Sequence, residues 1–596
     1  MDGKKLEYKG DDALKEIEKL TEKAGEFQES ILKEILVQNG QTEYLSKYIK
    51  GSKDVKEFKC CVPVTTYKDI CPYIQRIANG EDSSLITGHY ITEMLCSSGT
   101  SAGEPKLMPS IAGDLDRRTF IYNLVMPIMN QHVSGLDEGK AMLLYFVKAE
   151  KSTPCGLPAR TVLTSYYKSK HFKCRTHDLF NDFTSPDQAI LCKDSNQSMY
   201  CQLLSGLIHR HQVLRIGAVF ASALLRAISF LERNWAHLCN DIRSGQVDPM
   251  ITDHECRSCM SFILSSPNPC LADEIAEICS HPSWKGILCH LWPRTKYIEA
   301  VVTGSMAQYI PALEYYSEGK LPLVCTMYAS SECYFGVNLK PLCDPADVVF
   351  TLMPNMCYYE FIPLGENGKW LMDVAEEEVP NDKLVDLVHV GLGCYYELVI
   401  TTFAGLYRYR IGDVLQVTGF HNRAPQFRFI CRRNVVLSID NDKTNEEDLH
   451  NSITKAKKLL EPYNALLVEY TSYADTSSVP GHYVLYWEIL HHASATKDTP
   501  IPLDAKVHQE CCIAVEEELD YVYRRCRSYD KSIGPLEIRV VEPGTFEALM
   551  DMFIGQGGSI NQYKTPRCIK SNPALVLLNS RVKASFFSPR DPSWIP

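Results

Sequence analysis

Residues 97–106 read Ser-Ser-Gly-Thr-Ser-Ala-Gly-Glu-Pro-Lys and follow a short apolar run at 91–96. A strand that empties into a loop of hydroxyls and glycines leaves backbone N–H groups free to converge on one spot. That arrangement suits a phosphate chain. Lys106 adds a mobile positive charge at the far end of the loop. The spacing is not that of Walker A, G-x-x-x-x-G-K-[ST]. A plain turn has the same composition, so the loop alone leaves both readings open.

Two later segments bear on the choice. Residues 321–328 (LPLVCTMY) have a buried-strand pattern running into Ala329, Ser330, Ser331 and Glu332. Residues 406–413 read Leu-Tyr-Arg-Tyr-Arg-Ile-Gly-Asp. Each is unremarkable alone, since a Tyr before a loop is often core and a Gly-Asp is often a turn. Together, in this order, the three resemble the phosphate loop Ser/Thr-Gly-Thr-Thr-Gly-x-Pro-Lys, the Tyr-Gly-x-Thr-Glu and the Tyr-Arg-Thr-Gly-Asp of acyl-adenylate-forming enzymes. Here Ala replaces Gly, Ser replaces Thr, Ile replaces Thr, and one extra residue separates Thr100 from Lys106.

The similarity narrows further along nearly the whole chain. SSGTSAGEPKLMP, LPARTVLTSYYKS, VTGSMAQYIPALEYYS, VCTMYASSECYFGVNL, YRYRIGDVLQVTGF and NQYKTPR resemble the plant auxin-responsive Gretchen Hagen acyl-acid amido synthetases. VLTSYYKS is similar to the auxin-conjugating branch.

Length and composition fit such an enzyme. A chain of 596 residues exceeds one compact core. A net charge of −11 argues against a nucleic-acid binder. Anionic substrates must then be drawn by local positive groups. The longest apolar stretch, 216–231, is interrupted by Arg226, and the charged N-terminus has no signal-peptide core. A cytoplasmic protein is expected, with no membrane or obligate protein partner. Twenty-four cysteines are then expected to stay reduced. Cys256-x-x-Cys259 lacks a second pair with matching spacing, so buried free thiols are expected rather than zinc ligands.

The pattern of elements is α/β. Residues 14–38 have helical spacing, strand-like runs lie at 141–147, 297–302 and 398–403, and a helix is expected over 218–235. Residues 376–386 read as a solvated acidic loop. The resemblance implies a large N-terminal multi-subdomain α/β domain (1–433), a hinge (434–442) and a smaller mobile C-terminal α/β domain (443–596). This is the firefly-luciferase-like adenylating fold. In the C-terminal part, 446–460 reads as a helix, 483–489 as a strand and 491–504 as a polar loop.

The resemblance also implies a reaction: a carboxylic acid attacks the α-phosphate of ATP, and the acyl-adenylate passes its acyl group to an amino acid. Glu332 is implied as the Mg2+ ligand, with Ser97, Ser98, Thr100 and Ser101 on the phosphates and Ser330 and Ser331 among the ATP- or AMP-binding residues. Asp413 and Arg432 are implied on the ribose, and Tyr328 against adenine or in the core. Lys106 and Lys564 are implied as catalytic cations, and Lys168 near the amino-acid substrate.

For the acid, residues 114–131 form a helix so apolar that it must be mostly buried. Arg118 on it must emerge or pair with an anion, because an unpaired buried charge is costly. Arg117 is expected at the surface. By resemblance Arg118 meets the acid's carboxylate, while Val162, Leu163, Met327, Ala329 and Tyr334 line a flat slot suited to indole-3-acetic acid. A jasmonate- or benzoate-type acid, or a nucleotide-binding regulator without turnover, are the alternatives. The substitution of Ala102 for a glycine bears on the geometry of the phosphate loop.

Overall fold

The computed structural model describes residues 10–594 except 102–103, 149, 176–180, 366–378, 433–434, 438, 440–441, 443, 476, 479, 492–503, 557–559 and 561–562. The chain divides into two compact units, Met1–Ile430 with Ser559–Tyr563, and Cys431–Gly558 with Lys564–Pro596. Within 434–442 only residues 435–437, 439 and 442 are described, and the expected loop at 491–504 lies almost wholly outside the described residues.

Three sheets build the first unit. A parallel sheet runs in the order Lys140–Leu144, Val213–Phe220, Tyr297–Val301, Leu323–Val324. Its strands are mostly apolar and buried, as in sheets covered by helices, with Arg215 and Glu299 the charged residues on the two central strands. A second sheet places Ile91–Ser101 between Glu104–Ile111 and Pro158–Arg160, with Lys151–Ser152 at its edge. The third has eight strands, ordered Val385–Asp386, Tyr358–Leu364, Tyr395–Thr401, Tyr409–His421, Ala424–Arg432, Phe350–Leu352, Tyr334–Val337, Met327–Ala329.

The apolar run 321–328 is not one strand. Leu323–Val324 closes the parallel sheet, whereas Met327–Ala329 opens the eight-stranded one. The chain changes sheet at Cys325 and Thr326, which periodicity alone does not reveal. The expected helix over 218–235 starts later, because 218–220 finish the strand Val213–Phe220 and the helix spans Ala221–Ser244. The single N-terminal helix is two, Asp11–Glu22 and Ala24–Asn39, broken where Lys23 leaves helical geometry (φ −105°, ψ 28°). In the acidic segment Asp386 is no solvated loop residue. It pairs with Lys59 at 2.6 Å, accepts a hydrogen bond from Tyr358 Oη at 2.8 Å, and lies on a two-residue strand.

The second unit is a four-stranded sheet between two helical layers. Its order is Ala465–Asp475, His482–His491, Glu537–Val541, Val582–Phe587. Side chains alternate across a strand. Thus Tyr483, Leu485 and Trp487 pack with the helices Glu446–Ala456 and Ala505–Glu518, while Val484 and Tyr486 pack with Thr545–Gly555 and Asn572–Ser580. The helix expected over 446–460 ends at Ala456 and tightens into a 3₁₀ stretch, Lys457–Tyr463, containing Pro462. No helix among the described residues is long and apolar enough to cross a membrane.

Candidate active site

The hydroxyl-rich stretch is a hairpin rather than a free loop. Ile91–Ser101 pairs antiparallel with Glu104–Ile111. Cys96 faces Leu107 and Thr100 faces Pro105, so Ser97, Ser98 and Gly99 bulge opposite Lys106. A bulge re-aims backbone groups without ending the ladder. Ser97 is buried, and Lys106 lies over the Tyr67 ring at 5.4 Å, whose hydroxyl accepts the Leu107 N–H at 2.9 Å. The side chains of Ser98, Thr100 and Ser101, and Ala102 itself, lie outside what is described.

A second hairpin is formed by Met327–Ala329 with Tyr334–Val337. Its turn is closed by the Ser330 N–H to the Cys333 carbonyl at 2.8 Å, and the Ser330 hydroxyl accepts the Glu332 N–H at 3.2 Å. Ser331 and Glu332 are half-buried, and the Glu332 carboxylate makes no ion pair or hydrogen bond with any other described side chain. Gly336 is obligatory here, since a Cβ would sit 2.1 Å from the Thr351 carbonyl oxygen.

Tyr328 donates to Asp413 Oδ2 at 2.6 Å, and both are buried. Phe335, Phe350 and Phe429 surround the Tyr328 ring at 4.7, 5.7 and 6.3 Å. Asp413 follows Gly412, whose φ of +82° suits only glycine. The preceding arginines are structural. Arg410 grips Glu397 through Nε at 2.9 Å and Nη2 at 2.8 Å. Arg408 is fully buried, itself at φ +45°, and holds Glu360 through Nε and Nη2, each at 2.9 Å.

Of the residues expected to meet the acid, Met327, Ala329 and Tyr334 lie on that hairpin, and the helix of Arg118 packs against it. Arg118, only 5% exposed, lies on the helix Ala112–His132. Its Nη2 donates to the Ser110 hydroxyl at 3.2 Å, while Nη1 is buried with no acceptor among the described residues. One turn on, Tyr122 shares a 3.0 Å hydrogen bond with Tyr334 and stacks on Tyr166 at 4.3 Å. Burial drives the Tyr122 phenol well up, and burial also raises Tyr334 against the opposing effects of Tyr122 and Arg118. Both phenols stay neutral. Val162 and Leu163 are buried in the first turn of Val162–Lys168, capped by Thr161. Met327 packs against the apolar cluster that includes Val125 and Met126, and Ala329 is exposed.

Sequence reasoning gave Tyr122 only a place on the helix and Tyr166 no role; the repeated tyrosines of Val-Leu-Thr-Ser-Tyr-Tyr were the available signal. Arg117 is not a surface residue. It pairs with Asp114 at 3.0 Å and lies 3.8 Å over Phe403, because its helix face is covered. Lys168 is engaged by Glu150 at 2.8 Å, which also holds Arg160 at 2.7 Å; Arg160 in turn reaches Glu93 at 2.6 Å.

Arg432 and Lys564 belong to the second unit. Arg432 ends the strand Ala424–Arg432. Lys564 is exposed at the start of a segment locked onto the strand Ala465–Asp475. Thr565 donates to Glu469 at 2.9 Å, Arg567 pairs with it at 2.7 Å, and the Ser472 N–H meets the Arg567 carbonyl at 3.0 Å.

Comparison with known proteins decides the family. Models for the GH3 family N-terminal, central and C-terminal domains match residues 13–323, 350–432 and 447–573. The chain belongs to the GH3 family. It is 71% identical, over all of both chains, to the "Putative indole-3-acetic acid-amido synthetase GH3.9" of Arabidopsis thaliana. It is 66% identical to the "Probable indole-3-acetic acid-amido synthetase GH3.11" of Oryza sativa subsp. japonica, over 99% of each. Among solved structures, GH3.15 acyl acid amido synthetase matches with a TM-score of 0.89 and 47% identity, covering 99% of this chain and all of that one. GH3.15 has also been solved in complex with 2,4-DB. This GH3 protein is therefore an enzyme, an acid–amino acid ligase with the mixed α/β fold of its family.

Proposed function

We propose that this GH3 enzyme joins an amino acid to an auxin-type carboxylic acid, indole-3-acetic acid first among them, through an acyl-adenylate made from ATP. The observation that carries the reading is Arg118, a nearly buried cation with Nη1 unmatched in a wall of tyrosines. A carboxylate there completes its hydrogen bonding, and Val162, Leu163, Met327, Ala329 and Tyr334 give a planar ring an apolar seat.

The nucleotide lies on the other flank of the shared hairpin. Asp413, beside Tyr328, accepts the ribose hydroxyls with help from Arg432, and the bulged hairpin with Ser97, Ser98, Thr100 and Ser101 cradles the phosphates together with Ser330 and Ser331. Glu332 has a carboxylate to offer a hard cation, and magnesium, when bound, supplies neutralisation of phosphate charge. Lys106 and Lys564 add positive charge at the reacting phosphate. The acid's carboxylate oxygen bonds to the α-phosphorus and pyrophosphate leaves. The amine then bonds to the acyl carbon, and AMP leaves with the former carboxylate oxygen. Both steps need positioning more than covalent help. Lys168 stands in the neighbourhood assigned to the amino acid. Residues 434–442 serve as the hinge on which the C-terminal domain brings Lys564 in. The reduced thiols and the substrates suit a cytoplasmic enzyme.

The test is pyrophosphate release and amide formation by the purified chain with a panel of acids. Release with indole-3-acetate exceeding that with jasmonate and benzoate supports the reading. Preference for either of the latter moves the substrate, and release with none of them refutes the reaction.

A further inference from the structure

Outside the active site, one side-chain cluster in the first unit brings together two thiols and a carboxylate from separate elements. Cys192 follows the short helix Asp187–Leu191, Asp253 caps the helix His254–Leu264, and Cys256 stands in that helix's first turn. The Sγ atoms of Cys192 and Cys256 and a carboxylate oxygen of Asp253 all lie within 4.8 Å of one another. Two sulfurs bound tetrahedrally at ~2.3 Å to one ion stand roughly 3.8 Å apart, so the cluster has the dimensions of a coordination sphere. We propose that Cys192, Asp253 and Cys256 bind one thiophilic divalent cation of the zinc class, which ties the helix His254–Leu264 to the 187–192 segment.

Two features support this. Cys192 and Cys256 are buried, 4% and 0% exposed, and their thiols make long hydrogen bonds to the Asp194 carbonyl at 3.5 Å and the Gln188 carbonyl at 3.6 Å, which deprotonation on metal binding would release. The Asp253 carboxylate accepts the Cys256 N–H at 2.9 Å and makes no ion pair among the described residues. The cluster is not the Cys-x-x-Cys pair of the sequence. Cys259 turns away to the Cys256 carbonyl at 3.2 Å. Binding is M2+ plus two thiols giving a bis-thiolate complex and two protons, with no change of oxidation state. Three protein ligands leave a fourth position for water.

The test uses Co2+ and Zn2+ on the full-length chain, reduced and freed of metal by a chelator. Anaerobic Co2+ titration is expected to saturate at one equivalent, with a thiolate-to-cobalt charge-transfer band and tetrahedral visible bands. Zn2+ should bleach both and release two protons per ion at neutral pH. Cys192→Ser and Cys256→Ser should each lose the band, while Cys259→Ser keeps it. Where Cys256→Ser fails to fold, Asp253→Asn decides: asparagine caps a helix as well as aspartate does, so the fold survives and affinity falls at least tenfold. No thiolate band at one equivalent, or a band that survives Cys192→Ser or is lost with Cys259→Ser, overturns the proposal.

Discussion

Two buried arginines of the first unit are treated in opposite ways. Arg408, wholly buried, directs five N–H groups to protein acceptors: two to Glu360 and the others to the carbonyls of Lys59, Val62 and Asn381. Arg118, almost as buried, has the Ser110 hydroxyl on Nη2 and no acceptor on Nη1 among the described residues. A saturated guanidinium holds the fold together. An unsaturated one is an energetic cost to the empty protein that an anionic ligand removes, which is how a binding site differs from a core.

The comparison can be broken most forcefully at Arg408. Arg408→Met strands the Glu360 carboxylate in the interior, and removing one partner of a buried pair costs about 3–5 kcal/mol. The denaturant midpoint and the soluble yield should both collapse. A parent-like midpoint would mean that the pair is not structural. Glu332→Gln asks the opposite question of a carboxylate with no partner among the described residues. Adenylation should fall by on the order of 3 kcal/mol, roughly a hundredfold, because the proposed metal ligand is lost. Thermal unfolding should not change; a loss of stability in proportion would make Glu332 part of the scaffold.

Tyr328→Phe should be milder. It removes one hydrogen bond to Asp413, worth about 0.5–1.5 kcal/mol, and keeps the ring among Phe335, Phe350 and Phe429. A modest rise in the KM for ATP with unchanged acid KM is expected; the reverse pattern would place Tyr328 on the acid side.

The gentlest effect concerns a burial cost in the second unit that no substrate relieves. Burial, with Arg567 and Lys457 adding to it, lowers His450 to about 4. Above pH ~6.5 the imidazole is neutral in both folded and unfolded chains and contributes nothing. Between ~6.5 and 4 the unfolded chain binds the proton that the folded one resists. Stability therefore declines as pH falls, by at most about 1.4 kcal/mol per unit. His450→Gln should flatten that part of the profile, and an unchanged slope would assign it to other groups.

Much of this was legible in the chain. Two of the three motif segments carry Tyr328 and Glu332 onto one hairpin and Asp413 onto another strand of the same sheet, and the apolar pattern around Arg118 marked a cation that had to emerge or find an anion. What escaped did so for physical reasons. The run 321–328 serves two sheets, and an apolar run does not record which strand lies beside it. The hydroxyl-rich stretch 97–101 is strand because pairing with Glu104–Ile111 outweighs its turn composition. Arg117 looks like any helix-surface arginine until Phe403, far along the chain, covers it. Cys192 and Cys256 meet only through the packing of separate elements, which no spacing along the chain records.

The central claim, that the unmatched Nη1 of Arg118 receives the acid's carboxylate, is tested most directly by acid-dependent ATP–pyrophosphate exchange without amino acid. Parent and Arg118→Met should be compared across acid and ATP titrations. The account predicts exchange by the parent with indole-3-acetate. For the variant it predicts an acid KM raised by about 1.5–3 kcal/mol, roughly ten- to hundredfold, with ATP KM and melting temperature at parent values. Equal weakening of both substrates, or an unaltered acid KM, would contradict it.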